Sequence, residues 1–147
     1  MTNLVLVTRK LATLEEHLRR LRQRRPAAIE AFEQDLLLQD AIAMGILVVV
    51  QEAMHLALHL ASDEGWTLAS TYREAFAVLA QQGIIDHELA TTLSGTAQLR
   101  NRIAHGYGTV DVARIWSELP AGITALERFA TGISAFLARL PKADTSP

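Results

Sequence analysis

Ala41-Ile42-Ala43-Met44-Gly45-Ile46-Leu47-Val48-Val49-Val50 is the most apolar run of the chain, and it ends in three consecutive β-branched residues. Read as a strand, it would make the protein mixed α/β; read as a helix, it becomes a core that other helices must cover. The valines favour a strand by propensity alone. The flanking Ala, Leu, Met and Gln residues are strong helix formers, however, and no turn signal bounds the run. Enclosed by Asp40 and Gln51, its ten residues are about half of what crosses a bilayer. The run is therefore read as the buried centre of a helix.

Working outward, Ile29, Phe32, Leu36, Ala43, Ile46, Val50, Ala53, Ala57 and Leu60 keep a helical spacing, which predicts one long central helix over about residues 27–61. Upstream, Leu11, Leu14, Leu18 and Leu21 recur at three and four, marking an amphipathic helix over residues 5–24 that Pro26 stops. Downstream, Ser62-Asp63-Glu64-Gly65 reads as a turn. Thr71 and Glu74 have capping-box spacing for a helix over residues 72–82, which Gly83 closes. Asp86 can cap a fourth helix reaching His105, and Thr109 or Asp111 a fifth through Phe136, with Pro120 expected to kink or restart it. The expectation is an all-α, up-and-down bundle of about five helices, one domain over residues 1–140, with a disordered tail over 141–147.

Composition agrees with this. Half of the 147 residues are hydrophobic but only 5% are aromatic, as in helical bundles rich in Leu and Ala. There is no cysteine, which excludes disulfides, thiolate metal ligands and a thiol nucleophile. The formal charge of −2 gives no global attraction to nucleic acid, so RNA binding would need a local patch. Leu4-Val5-Leu6-Val7 is too short for a secretory signal before Arg9 and Lys10, so a cytoplasmic location without membrane insertion is expected.

The chemistry is densest at Arg100-Asn101-Arg102-Ile103-Ala104-His105-Gly106-Tyr107. At about 100° per residue, Asn101 and His105 share one helix face and Arg100 and Tyr107 another, while Arg100 and His105 diverge by about 140°. One helix cannot easily aim both at one atom. Two copies meeting across a twofold axis can, so the spacing suggests a homodimer with a composite site. An imidazole can take the proton of a ribose 2′-hydroxyl while a guanidinium holds the phosphate, a pairing sufficient for RNA cleavage without a metal or other cofactor.

The arrangement Arg-Asn, three residues, His-x-Tyr resembles the signature of the HEPN superfamily, and most closely that of the HepT-like ribonuclease toxins. Residues 72–76 and 83–86 also look like family sequence. The resemblance implies a small dimeric all-α toxin that cleaves RNA, with tRNA among the targets, and an antitoxin that is a minimal nucleotidyltransferase. On matching positions it makes Arg100 and His105 the catalytic pair, Asn101 their polar support, and Tyr107 the acceptor of AMP when the partner silences the toxin.

Other readings stand beside this one. Arg100, Arg102 and His105 could simply oppose the negative end of a helix. A HEPN domain can also serve as a non-catalytic module that binds a nucleotidyltransferase or a nucleotide. Arg19, Arg20, Arg22, Arg24 and Arg25 form either an RNA-guiding patch or a solvated helix end. Glu52, His55 and His59 are a weak zinc candidate. His17 and His87 are expected at the surface, Trp66 and Trp116 as packing or interface anchors, and Asp111 as a cap.

Overall fold

A computed structural model describes residues 1–66, 69–106, 108 and 110–141. Among the described residues six α-helices follow one another: α1 (Leu4–Arg24), α2 (Ile29–Glu33), α3 (Leu36–Asp63), α4 (Tyr72–Gln81), α5 (His87–Gly106) and α6 (Val112–Arg139). No strand occurs among the described residues, and residues 48–50 lie within α3.

The long second helix expected over residues 27–61 is corrected to two. Gln34 closes α2, and Asp35 leaves the helical region and accepts a hydrogen bond from Leu38 N at 3.0 Å, capping α3. The aspartate cap satisfies one of the amides that any helix start leaves open. Phe32 and Leu36 continue the apolar spacing across this break and conceal it.

α3 packs against every other helix. Ile42, Val49, Ala53, Leu56, Ala57 and Leu60 are almost wholly removed from solvent. By length and composition α3 as a whole could cross a membrane, although its most apolar ten-residue run could not; 56% of its apolar window is buried inside the bundle. A single buried cluster draws residues from all six helices, with Phe76 and Phe129 meeting edge to face at 5.9 Å.

The expected helix ends are observed. Thr71 Oγ1 accepts from Glu74 N at 3.1 Å, while the Glu74 carboxylate reaches back to Ser70 N at 2.8 Å. That contact holds the Glu74 carboxyl below its ordinary pKa. Gly83, at φ +74°, lets Ile84 N reach Leu79 O at 3.0 Å, a six-to-one closure that L-residues resist. Asp86 accepts from Leu89 N at 2.6 Å and pairs through its other oxygen with Arg128 of α6 at 2.9 Å. The start of α5 is thereby fixed to α6.

Pro120 does not restart the fifth expected helix; α6 runs through it. Proline has no N–H to offer the carbonyl one turn back, that of Trp116. Arg25 Nε donates to that carbonyl at 3.1 Å, its guanidinium lies 4.0 Å from the centre of the Trp116 ring, and Trp116 Nε1 donates to Pro26 O at 3.1 Å. The end of α1 thus supplies the bond that Pro120 omits. Trp66 packs edge to face on Phe136 at 5.6 Å. Both tryptophans are packing anchors.

Two glycines mark close approaches. A Cβ on Gly45 would lie 2.5 Å from Leu21 Cδ2, and one on Gly132 would lie 2.5 Å from the backbone carbonyl oxygen of Ile84, whereas one on Gly122 would meet nothing within 4 Å. Gly132→Ala should therefore cost about 1–3 kcal/mol by forcing α6 off the α4–α5 connection. Gly122→Ala, in the same helix, should stabilise by about 0.5–1 kcal/mol through helix propensity. Urea unfolding of both variants checks this, and shifts of the same sign would contradict the packing described.

Candidate active site

The last two turns of α5 carry Arg100, Asn101, Arg102 and His105. Leu93, Ala97, Leu99 and Ile103 are buried on the side of this segment toward which Arg100 also turns, away from Asn101 and His105, and set its rotation. Arg100 is half-buried, with Nη1 donating to Asn101 Oδ1 at 3.1 Å. Its Nε is buried with no hydrogen-bond partner, the one such side-chain atom among the described residues. Leaving a charged donor dry and unpaired costs free energy that a bound anion would recover.

His105 is exposed and lines an open groove of about 550 Å³ together with Asn101, Arg102, Val110, Asp111 and Arg114. Arg100 is not among the described residues of that groove. The divergence of Arg100 and His105 expected from helix geometry is therefore present in the folded chain. Asn101 faces the groove, but its carbonyl oxygen accepts from Arg100, so the group that this amide holds in place is the guanidinium. Tyr107 and Thr109 lie outside the described residues, as do residues 142–147 of the expected tail.

The far wall of the groove belongs to α6, and sequence reasoning missed it. Asp111 caps α6 by accepting from Ala113 N at 3.0 Å, as expected, and also lines the groove. Arg114 Nε donates to Glu118 Oε1 at 2.8 Å, and the other oxygen of that carboxylate lies 4.0 Å from Arg102 Nη2. In sequence, Arg114 and Glu118 look like an ordinary solvated i,i+4 pair. Only the approach of α6 to the end of α5 places them at the site.

The other candidates are distributed as follows. Arg19 and Arg20 pair with Glu16, and Arg22 with Glu127, while Arg25 is committed to Trp116, so the basic run of α1 is largely matched by neighbouring acids and packing. Glu52 faces Lys10 of α1 at 3.5 Å instead of joining His55 and His59. Among the described residues no three His, Asp or Glu side chains are placed to hold a metal ion. His87 is exposed and His17 half-buried, both away from the groove.

Comparison with known proteins places this geometry in a family. The mRNA nuclease HepT of Shewanella oneidensis is 23% identical over 130 residues, which span 88% of this chain and 97% of the relative. The tri-AMPylated HEPN toxin of S. oneidensis, solved in complex with MNT antitoxin, superposes with a TM-score of 0.81 at 23% identity, covering 92% of this chain and 99% of that one. YutE of Bacillus subtilis, a cytosolic protein of unknown function, superposes with a TM-score of 0.83 at 13% identity over 97% of this chain and 96% of its own. At these identities the superpositions establish a shared HEPN fold. The family profile described as ribonuclease HepT-like matches residues 14–133, from the middle of α1 to near the end of α6 and across the whole of α5. The chain belongs to the ribonuclease HepT-like family.

Proposed function

We propose that this protein is the toxin of a toxin–antitoxin pair, a metal-independent endoribonuclease that acts as a homodimer and is silenced by AMPylation. Residues 1–140 form its one helical domain. The observation that carries the reading is the buried, unpartnered Nε of Arg100, two turns from the end of a helix whose adjoining face presents His105 to an open groove. A helix-end counter-charge needs no such desolvated donor. An anion-binding guanidinium does.

In the proposed reaction His105 of one protomer takes the proton of a ribose 2′-hydroxyl. The 2′-oxygen attacks the adjacent phosphorus, the bond from phosphorus to the 5′-oxygen breaks, and that oxygen leaves with a proton taken from solvent water. Arg100 of the other protomer, held by Asn101, binds the phosphate as charge grows on its oxygens. The products are a 2′,3′-cyclic phosphate and a 5′-hydroxyl. The S. oneidensis relative is an mRNA nuclease, and tRNA is the second substrate to compare.

The antitoxin in this account is a minimal nucleotidyltransferase that transfers AMP to Tyr107. The AMPylated state of the S. oneidensis toxin and its complex with MNT antitoxin support that assignment. The phosphodiester so formed would stand near Arg100, in the place of the substrate phosphate.

Three outcomes follow. Sedimentation should give about twice the 16.1 kDa chain mass at micromolar concentration, whereas a monomer that cleaves RNA would rule out the composite site. In chelator, the wild type should cut mRNA or tRNA to cyclic-phosphate ends, and Arg100→Ala and His105→Ala should each slow this by about 10²-fold or more at unchanged helix content by circular dichroism. Failure to cut any RNA, with both variants melting well below the parent, would favour a structural or partner-binding role. On co-expression with a cognate minimal nucleotidyltransferase, intact mass should rise by one or more AMP units on Tyr107. Tyr107→Phe should remain active and escape silencing; modification and silencing equal to the parent's would remove Tyr107 from the scheme.

A further inference from the structure

The groove that contains His105 shares part of its wall with a second cavity. An apolar cleft of about 270 Å³ between α3, α5 and α6 shares Leu99, Arg102 and Arg114 with it, and Glu118 stands on the cleft side. The two arginines therefore line both spaces, one contributed by each of two helices. Neither belongs to the catalytic pair.

One carboxylate serves both cations. Glu118 gives Oε1 to Arg114 at 2.8 Å and Oε2 to Arg102 at 4.0 Å. The side chains of Arg102, Arg114 and Glu118 are 43%, 54% and 41% exposed, so in water this triad contributes little to stability and can be rearranged at low cost. Asp111, the carboxylate of the described groove wall, is engaged with the first turn of α6. Glu118, shared between the two guanidinium groups, and Asp111, whose charge also acts on Arg114, together balance these two cations, so an anion binds there by displacing a carboxylate rather than by meeting free positive charge. Planar guanidinium forks match phosphate oxygens better than any other side chain does.

We infer that Arg102 and Arg114 form a second phosphate subsite, which holds the phosphate next to the scissile one, and that Glu118 occupies these arginines until RNA displaces it. The inference rests on the proposed reading of the groove as the RNA site. In this role both arginines are positioning residues: they set the register of the strand against His105 and leave the proton transfer to others. Glu118 acts as a competitor, so its removal and the removal of its partners should move RNA affinity in opposite directions. A bridge that merely ties α5 to α6 would be broken by either change and would move both the same way.

The test uses the full-length chain carrying His105→Ala to prevent turnover, with a fluorescein-labelled single-stranded RNA decamer as probe and anisotropy as readout across a salt series. Arg102→Ala with Arg114→Ala should weaken binding by about tenfold or more and flatten the dependence of log K on log salt by about 0.7 for each phosphate no longer held. Glu118→Gln should tighten binding several-fold. Unchanged affinity and salt slope in the double arginine variant, or weaker binding by Glu118→Gln, would overturn the subsite. Cleavage by the protein with His105 intact reports separately on the nuclease. If the affinities shift as expected while no RNA is cut, the nuclease reading fails and the subsite stands. If RNA is cut and the affinities do not shift, the subsite alone fails; if the decamer is neither bound nor cut, both fail.

Discussion

Burial of α3 by its neighbours is the constraint from which the rest of the architecture follows. Ile42, Val49, Ala53, Leu56, Ala57 and Leu60 are kept from water while Met44 and Gln51 stay exposed, and no single neighbour can bury so much of a 28-residue helix. α1 lies along one side, close enough at Gly45 and Leu21 to leave no room for a methyl group. α4, α5 and α6 cover further parts of it. Both ends of the α1 contact are fastened: Thr2 and Asn3 hydrogen-bond to the acids Glu64 and Asp63 at the end of α3, and Arg25 with Pro26 grips Trp116 of α6. The loss of a backbone donor at Pro120 is met by that grip, so an element that proline would ordinarily interrupt continues for 28 residues.

The site is a consequence of how α5 must sit. Burying Leu93, Ala97, Leu99 and Ile103 rotates Arg100 partly inward and turns His105 and Asn101 toward the groove. The fold thus desolvates one guanidinium donor without giving it a protein partner, the only buried side-chain polar atom so left among the described residues. In the proposed function a symmetric partner would resolve this divergence, with Arg100 of one chain and His105 of the other brought to one substrate. α6 closes the groove on its other side, fixed there by the pairing of Asp86 with Arg128 and by the cap at Asp111.

Features governed by local chemistry are readable from the sequence. Asp86, Asp111, Thr71 and Gly83 act at the ends where their side chains or their freedom of φ are needed, and the 3.6-residue period identifies α1, α3, α4, α5 and α6. What escapes such a reading is governed by contacts at long range or by an exception within a regular pattern. Asp35 interrupts an apolar spacing that Phe32 and Leu36 otherwise continue. The partner of the Trp116 carbonyl is Arg25, 91 residues earlier, so nothing near Pro120 announces it. Arg100, Asn101 and His105 stand out as candidates because they share one helical segment and match the spacing of a known family signature. Arg114 cannot, because its proximity to His105 depends on the chain reversal between α5 and α6 and its pairing with Glu118 is ordinary in sequence.

The most direct test of the composite site is complementation between two inactive chains. Arg100→Ala and His105→Ala proteins, mixed in equal amounts and allowed to exchange subunits, give dimers of which about half contain one chain of each kind, and each of these has one site with both intact residues if Arg100 and His105 act across the interface. RNA cleavage should then recover to about a quarter of the wild-type rate, from two proteins that are each inactive alone. Exchange of subunits, verified by mass, with no recovery of cleavage would place both residues in a site within one chain and contradict the account.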